Sequence, residues 1–136
     1  MLEVSKFIRM TDVKKIAVVD DDDFFRMMLC DSLAKFPWLK TEEFSNGEDC
    51  LASLFVTKPN IVLLDYNLNE TNPDAKNGLE ILNQIKALAP KTVVVMLSSQ
   101  EKYGIAMQTI KSGAEHYVVK DDDAFKNIHA IVESYR

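Results

Sequence analysis

Four short, uninterrupted apolar runs constrain this chain more than any other feature. They are Ile16-Ala17-Val18-Val19, Ile61-Val62-Leu63-Leu64, Val93-Val94-Val95-Met96-Leu97 and Tyr117-Val118-Val119, and they stop at Asp20, Asp65, Ser98 and Lys120. Consecutive β-branched apolar residues leave neither face suited to water, so such runs fit strands covered on both sides, as in parallel sheets flanked by helices. A weaker strand, about Lys40 to Phe44, leads into Ser45-Asn46-Gly47. Between the strands the apolar spacing becomes helical. Phe25, Leu29, Leu33 and Phe36 precede Pro37; Leu51, Leu54 and Phe55 precede Pro59; Ile81, Ile85 and Leu88 precede Pro90. Tyr103, Met107 and Ile110 precede Gly113, and Phe125, Ile128, Val132 and Tyr135 run to the C-terminus. Proline and glycine at those points are ordinary helix stops. Strand and helix therefore alternate five times, which predicts an α/β fold, a doubly wound parallel sheet with right-handed crossovers.

A chain of 136 residues suits one domain, expected over residues 13–136, with 1–12 as an N-terminal extension. Apolar residues at 47% and charged residues at 27% exclude a mostly disordered chain. The net charge is -5 without a basic stripe, which argues against direct nucleic-acid binding. No apolar run approaches the ~18–20 residues needed to span a bilayer, and the first twelve residues lack a signal-peptide pattern. Cys30 and Cys50 lie in apolar helical patterns and form no metal-spaced set, so they read as reduced residues of a cytoplasmic protein. Met27 and Met28 read as core filler, and His116 and His129, without ligand spacing, as surface residues.

In open parallel sheets, ligands bind beyond the carboxyl ends of the strands. The residues there are Asp20, Asp21, Asp22 and Asp23 after the first strand, Asp65 after the third, Ser98 and Ser99 after the fourth, and Lys120 after the fifth. Asp22 and Asp23 read as helix-start residues; Asp20, Asp21 and Asp65 remain as an acidic group. Carboxylates gathered this closely repel, and one takes up a proton unless a cation compensates. A hard divalent ion with oxygen ligands is the usual compensation. Mg²⁺ suits best, because it keeps several waters, whereas Ca²⁺ usually takes more protein oxygens, and zinc has no Cys/His set to bind it. A carboxylate, a divalent ion, an ammonium and a hydroxyl are also what phosphoryl transfer to an aspartate requires.

Val19-Asp20-Asp21, Leu64-Asp65, Leu97-Ser98-Ser99, Gly113-Ala114 and Tyr117-Val118-Val119-Lys120, in that order and each at a predicted strand end or turn, resemble the receiver domain of two-component response regulators. The resemblance covers about Val13 to the C-terminus. It implies a flavodoxin-like (βα)5 sheet of order 2-1-3-4-5, an order the residues alone do not supply. It also implies that Asp65 is the phosphoacceptor, that Asp21 binds Mg²⁺ (or Mn²⁺) directly with Asp20 in support, and that the Asn67 carbonyl is a further ligand. Ser98 would bond the phosphoryl group, Lys120 would pair with it, and Tyr117 would be the aromatic switch. Asn67 and Gln100 would tune the phosphorylated lifetime.

The function so implied is a signalling switch rather than an enzyme acting on a separate substrate. A sensor histidine kinase or histidine phosphotransfer protein would donate the phosphoryl group. The face of the fourth helix, fifth strand and fifth helix would then engage a downstream protein or form a phosphorylation-dependent homodimer. With no output domain expected beyond Arg136, protein–protein contact is the expected output, the alternative being that the chain is a fragment of a longer regulator or hybrid kinase. The alternative is a pseudo-receiver, an interaction module that is never phosphorylated. A haloacid-dehalogenase-type phosphatase would need a threonine where Phe24 begins a helix, and a flavin carrier would need hydroxyls and amides where this chain has four acids.

Two departures from the family pattern stand out. The family usually follows its lysine with a cis proline, but here Asp121 follows Lys120. Either the bond is trans and the lysine is placed differently, or a cis bond costing ~2.5–4 kcal/mol is tolerated. Asp121, Asp122 and Asp123 are expected to cap the last helix. The second departure is a short insertion within 67–77, which carries Gly78 to thirteen positions after Asp65 and puts the placement of the third helix at issue.

Overall fold

The computed structural model describes residues 13–99 and 103–136. The expected extension over 1–12, and Gln100, lie outside the described residues. Each apolar run forms a strand: β1 (Lys14–Val19), β3 (Ile61–Asp65), β4 (Val93–Ser98) and β5 (His116–Val119), with the weaker β2 at Leu39–Phe44. The helices are α1 (Asp23–Leu33), α2 (Gly47–Thr57), α3 (Gly78–Leu88), α4 (Tyr103–Lys111) and α5 (Ala124–Ser134). All strand pairs are parallel and the sheet order is β2-β1-β3-β4-β5, the flavodoxin-like topology.

Alternation along each strand splits the core in two, because successive side chains point to opposite faces. Ile16, Val18, Ile61, Leu63, Val95, Leu97 and Val118 pack with Leu29 and Leu33 of α1 and Ile128 and Val132 of α5. Ala17, Val19, Val62, Leu64, Val94 and Met96 pack with Cys50 and Leu54 of α2 and Ile81, Leu82 and Ile85 of α3. The central strands are therefore buried on both faces, as their unbroken apolar sequences require. Both cysteines are free, and burial pushes each thiol up to about 12.

Caps set several helix starts earlier than apolar spacing alone suggests. Asn46 accepts from the Asp49 amide at 2.8 Å and starts α2 at Gly47. Asn77 and Glu80 form a reciprocal capping box that starts α3. The insertion does not displace that helix: a Cβ on Gly78 would lie 2.3 Å from the Asp65 carbonyl oxygen, so α3 docks directly against the end of β3 and only glycine fits there.

Several sequence expectations are corrected. Met27 and Met28 are not core filler; they are 58% and 46% exposed, on the side of α1 away from Leu29 and Leu33. The stripe of Tyr103, Met107 and Ile110 marks α4 but is not its buried face, which among these helix positions is Thr109. Phe55 and Leu88 are exposed as well. His116 and His129 are half-buried rather than on the surface. They have hydroxyl partners in Tyr135 Oη at 2.8 Å and Ser32 Oγ at 3.0 Å, because α5 lays its edges against β5 and α1. Asp123 occupies the position before α5 but makes no side-chain cap bond, since Asp121 Oδ1 instead accepts from its amide at 2.9 Å and closes the turn locally.

Candidate functional site

The parallel sheet brings the ends of β1 and β3 side by side, with Val19 opposite Leu64, so the residues that follow converge. Asp20, Asp21 and Asp65 each offer an oxygen, and these lie within 4.8 Å of one another. Asp20 and Asp65 are buried and Asp21 is half-buried. Lys120, carried to the same rim by β5, places Nζ 2.8 Å from Asp20 Oδ2 and 3.2 Å from Asp65 Oδ1. The Lys120–Asp121 bond is trans, and the lysine reaches both carboxylates all the same; its backbone is held by the Lys120 amide donating to the Ser98 carbonyl at 2.8 Å.

The charges are unevenly balanced. Burial, then the neighbouring Asp20, pushes the Asp65 carboxyl up to about 7, against the opposing pull of Lys120 and the Asn67 amide. Burial disfavours the charged form of Lys120, but Asp65 and Asp20 outweigh it and its pKa rises. One ammonium thus serves two buried carboxylates with a third at their edge. A largely buried group of hard oxygens with more negative than positive charge is the donor set that suits a small divalent cation.

Among the other expected site residues, Asn67 sits on the rim with its amide donating to Asp65 Oδ1 at 3.1 Å. Ser98 is buried at the end of β4, one position beyond Leu97, which pairs with Asp65. Tyr117 is half-buried on β5, packed at the edge of the α2 and α3 side of the core, and lines a shallow groove of about 500 Å³ with Asp121, Asn127 and Ile131 of the α5 side. Asp22 caps α1 by accepting from the Phe25 amide at 3.1 Å, and Asp23 lies in its first turn, as expected of helix-start residues.

One contributor has no counterpart in the sequence reading. Arg26 donates from Nη1 to the Asp20 carbonyl at 2.6 Å, from Nη2 to Asp23 at 2.7 Å and from Nε to Glu43 at 3.3 Å, pinning the acidic turn to β2. Its signal was the spacing of three residues from Asp23 on a helix. The inserted segment folds back over the rim: the Thr71 amide donates to Asp21 Oδ2 at 3.2 Å and the Lys76 amide to Glu48 Oε2 at 3.0 Å. Beneath it lies a cavity of about 460 Å³ lined by Asp21, Asn46, Glu48, Leu68 and Thr71 among others.

Comparison with known proteins identifies the family and the fold. The family model described as "Response regulator receiver domain" matches residues 16–133. The chain is 32% identical to the chemotaxis protein CheY of Listeria monocytogenes, over 86% of this chain and 94% of that protein. It is 27% identical to CheY of Thermotoga maritima, over 87% and 94% respectively. Among solved structures, the BeF3-activated DrrB receiver domain superposes with a TM-score of 0.77 at 29% identity, covering 90% of this chain and 97% of that one. The response regulator domain of Thermotoga maritima CheB does so with a TM-score of 0.73 at 26% identity, covering 90% and 92%.

Proposed function

The chain belongs to the response regulator receiver domain family, and on that premise we propose that it is a working phosphoacceptor, with Asp65 taking a phosphoryl group from a phosphohistidine donor. The observation that carries this reading is the shared position of Asp20, Asp21, Asp65 and Lys120 at one end of the sheet. In the transfer, the bond between phosphorus and the donor imidazole breaks as a bond from a carboxylate oxygen of Asp65 to phosphorus forms, and the imidazole leaves with the electron pair. Oδ1 is held by the Asn67 amide and by Lys120, so the attack falls to Oδ2. Lys120 then faces the new phosphoryl oxygens, and Ser98 donates to them from the end of β4. Water later cleaves the acyl phosphate and restores the carboxylate.

Asp20, Asp21, Asp65 and the Asn67 carbonyl are the residues that would hold Mg²⁺ or Mn²⁺. When bound, the ion supplies positive charge against the carboxylates and the phosphoryl oxygens. Phosphorylation adds up to about two negative charges at the rim. That change would bias the face of α4, β5 and α5, with Tyr117 following Ser98, toward one of two arrangements and so toward a downstream protein. On this reading the donor is a sensor histidine kinase or phosphotransfer protein, and the chain is a cytoplasmic switch rather than an enzyme acting on a separate substrate. No helix among the described residues is long and apolar enough to cross a membrane.

Incubation with acetyl phosphate and Mg²⁺, followed by intact-mass spectrometry, tests the proposal. The expected result is one added phosphoryl group, dependent on the metal and absent in Asp65→Asn. Beryllofluoride with Mg²⁺ should perturb amide resonances around Asp65, Ser98 and Lys120 in the wild type alone. An unmodified mass together with unperturbed resonances would establish the pseudo-receiver instead.

A further inference from the structure

Lys120 must hold its ammonium at one point between Asp20 and Asp65, yet its long side chain carries ~1.5–2 kcal/mol of rotamer freedom to be suppressed. Two carboxylates attract it, but charge attraction is weakly directional. The structure provides a third contact. The Lys120 ammonium lies 4.4 Å from the centroid of the Phe25 ring, within the ~6 Å over which a ring face attracts a cation. The ring is itself fixed. Phe25 is the residue whose backbone amide is taken up by the Asp22 cap, so the start of α1 sets its position. Phe125, in the first turn of α5, meets it edge-on, with centroids 5.7 Å apart and planes at 67°. Both rings are half-buried against the α1 and α5 side of the core. Packing alone asks only for an apolar side chain at position 25, which leucine or methionine would meet; a flat face beneath an ammonium asks for an aromatic ring.

We propose that Phe25 is a positioning residue for Lys120: its ring face, oriented by the α1 cap and by Phe125, holds the ammonium against Asp20 and Asp65. It touches neither phosphoryl group nor metal, and acts only through the lysine. The consequence for phosphoryl transfer rests on the reading of Asp65 given above; the placement of the lysine does not. It follows that the segment from Asp20 to Phe25 has two duties, presenting carboxylates from Asp20 and Asp21 and supplying, from the first turn of α1, the support for their counter-charge.

The 136-residue chain labelled at lysine ε-carbons tests the contact directly. The ε-methylene protons of Lys120, assigned by their loss in Lys120→Gln, should resonate upfield of ordinary lysines in the wild type, Phe25→Tyr and Phe25→Trp, and return to the ordinary position in Phe25→Leu. An ordinary position in the wild type overturns the proposal. The second readout is the phosphorylation rate with acetyl phosphate at saturating Mg²⁺. Phe25→Leu should slow it roughly three- to ten-fold, the range a partly desolvated cation–π contact supports, while Phe25→Tyr stays near wild type. Introduced into Lys120→Gln, Phe25→Leu should cause no further loss. An equal loss in both backgrounds would mean that Phe25 only packs, and an unslowed Phe25→Leu would mean that the carboxylates suffice; either result overturns the proposal. Circular dichroism and thermal melts of each variant separate these outcomes from misfolding. If the wild type takes up no phosphoryl group, the reading of Asp65 fails, and the ring-current shift still decides the placement of Lys120.

Discussion

The two ends of the sheet carry the same kinds of residues and use them in opposite ways. At the amino-terminal end, Lys86 of α3 donates to both carboxylate oxygens of Glu115 and, at 2.6 Å, to the Thr92 carbonyl. The Asn60 side chain accepts from the Lys15 amide at 2.8 Å, and the Thr92 hydroxyl donates to the Pro59 carbonyl at 3.1 Å. One cation meets one anion, and the loop backbone there is matched. At the carboxyl-terminal end one lysine stands among Asp20, Asp21 and Asp65, and Asp65 resists ionisation. The first end is closed for stability. The second keeps an excess of negative charge around one ammonium, with a carboxyl shifted in the way that groups at functional sites often are.

This contrast can be broken by substitutions of the same chemical kind at the two ends. The largest effect is expected from Lys120→Gln, which strands two buried carboxylates; metal-free chemical denaturation at pH 8 should register a loss of about 3–4 kcal/mol. Asp65→Asn should do the opposite and stabilise the metal-free protein at pH 8 by about 2 kcal/mol, since it removes an ionised group that the fold disfavours. Its pH dependence follows from linkage. The folded chain holds the Asp65 proton up to about 7, whereas the ordinary value is 3.8, so between those values the folded state binds more protons than the unfolded. Wild-type stability from this group therefore falls as pH rises through that window, and the advantage of Asp65→Asn should grow across it and be lost toward pH 4. Thermal melts of both proteins at several pH values with a chelator present check this; a constant difference would contradict the account.

Glu115→Gln removes a carboxylate at the matched end and should destabilise. The pair is partly exposed, so the loss should be nearer 1 kcal/mol and shrink in high salt. Opposite signs for Asp65→Asn and Glu115→Gln would sharpen the comparison, and equal signs would end it. The smallest effect is expected from Met27→Gln on the exposed side of α1, within about 0.5 kcal/mol by denaturant titration, as for other surface substitutions.

Much of this was legible in the residues. Apolar runs and helical spacing mark all five strands and helices, and reading the residue after each run already selects Asp20, Asp65, Ser98 and Lys120. Burial leaves a periodic trace, and a strand end is a local event. The trace fails where a helix shows more apolar residues than it buries, as with Met27, Met28, Tyr103 and Met107. The capped start of α2 at Gly47 was also missed, because Asn46 caps through a side-chain bond that hydrophobic spacing does not record. His116 and His129 failed for a similar reason: ligand spacing along the chain says nothing about a hydroxyl arriving from another helix.

The sequence by itself determined the alternation of elements, the double burial of the central strands and the identity of the groups at the rim, since these depend on neighbours within a few residues. Only the tertiary structure decided which of those groups meet. Lys120 reaches Asp20 across one hundred positions, Phe25 comes under that lysine, and Thr71 of the inserted segment comes down on Asp21. Those meetings depend on strand order and on how α1, α5 and the 67–77 loop settle against the sheet. They are consequences of packing between distant segments, which no local pattern encodes.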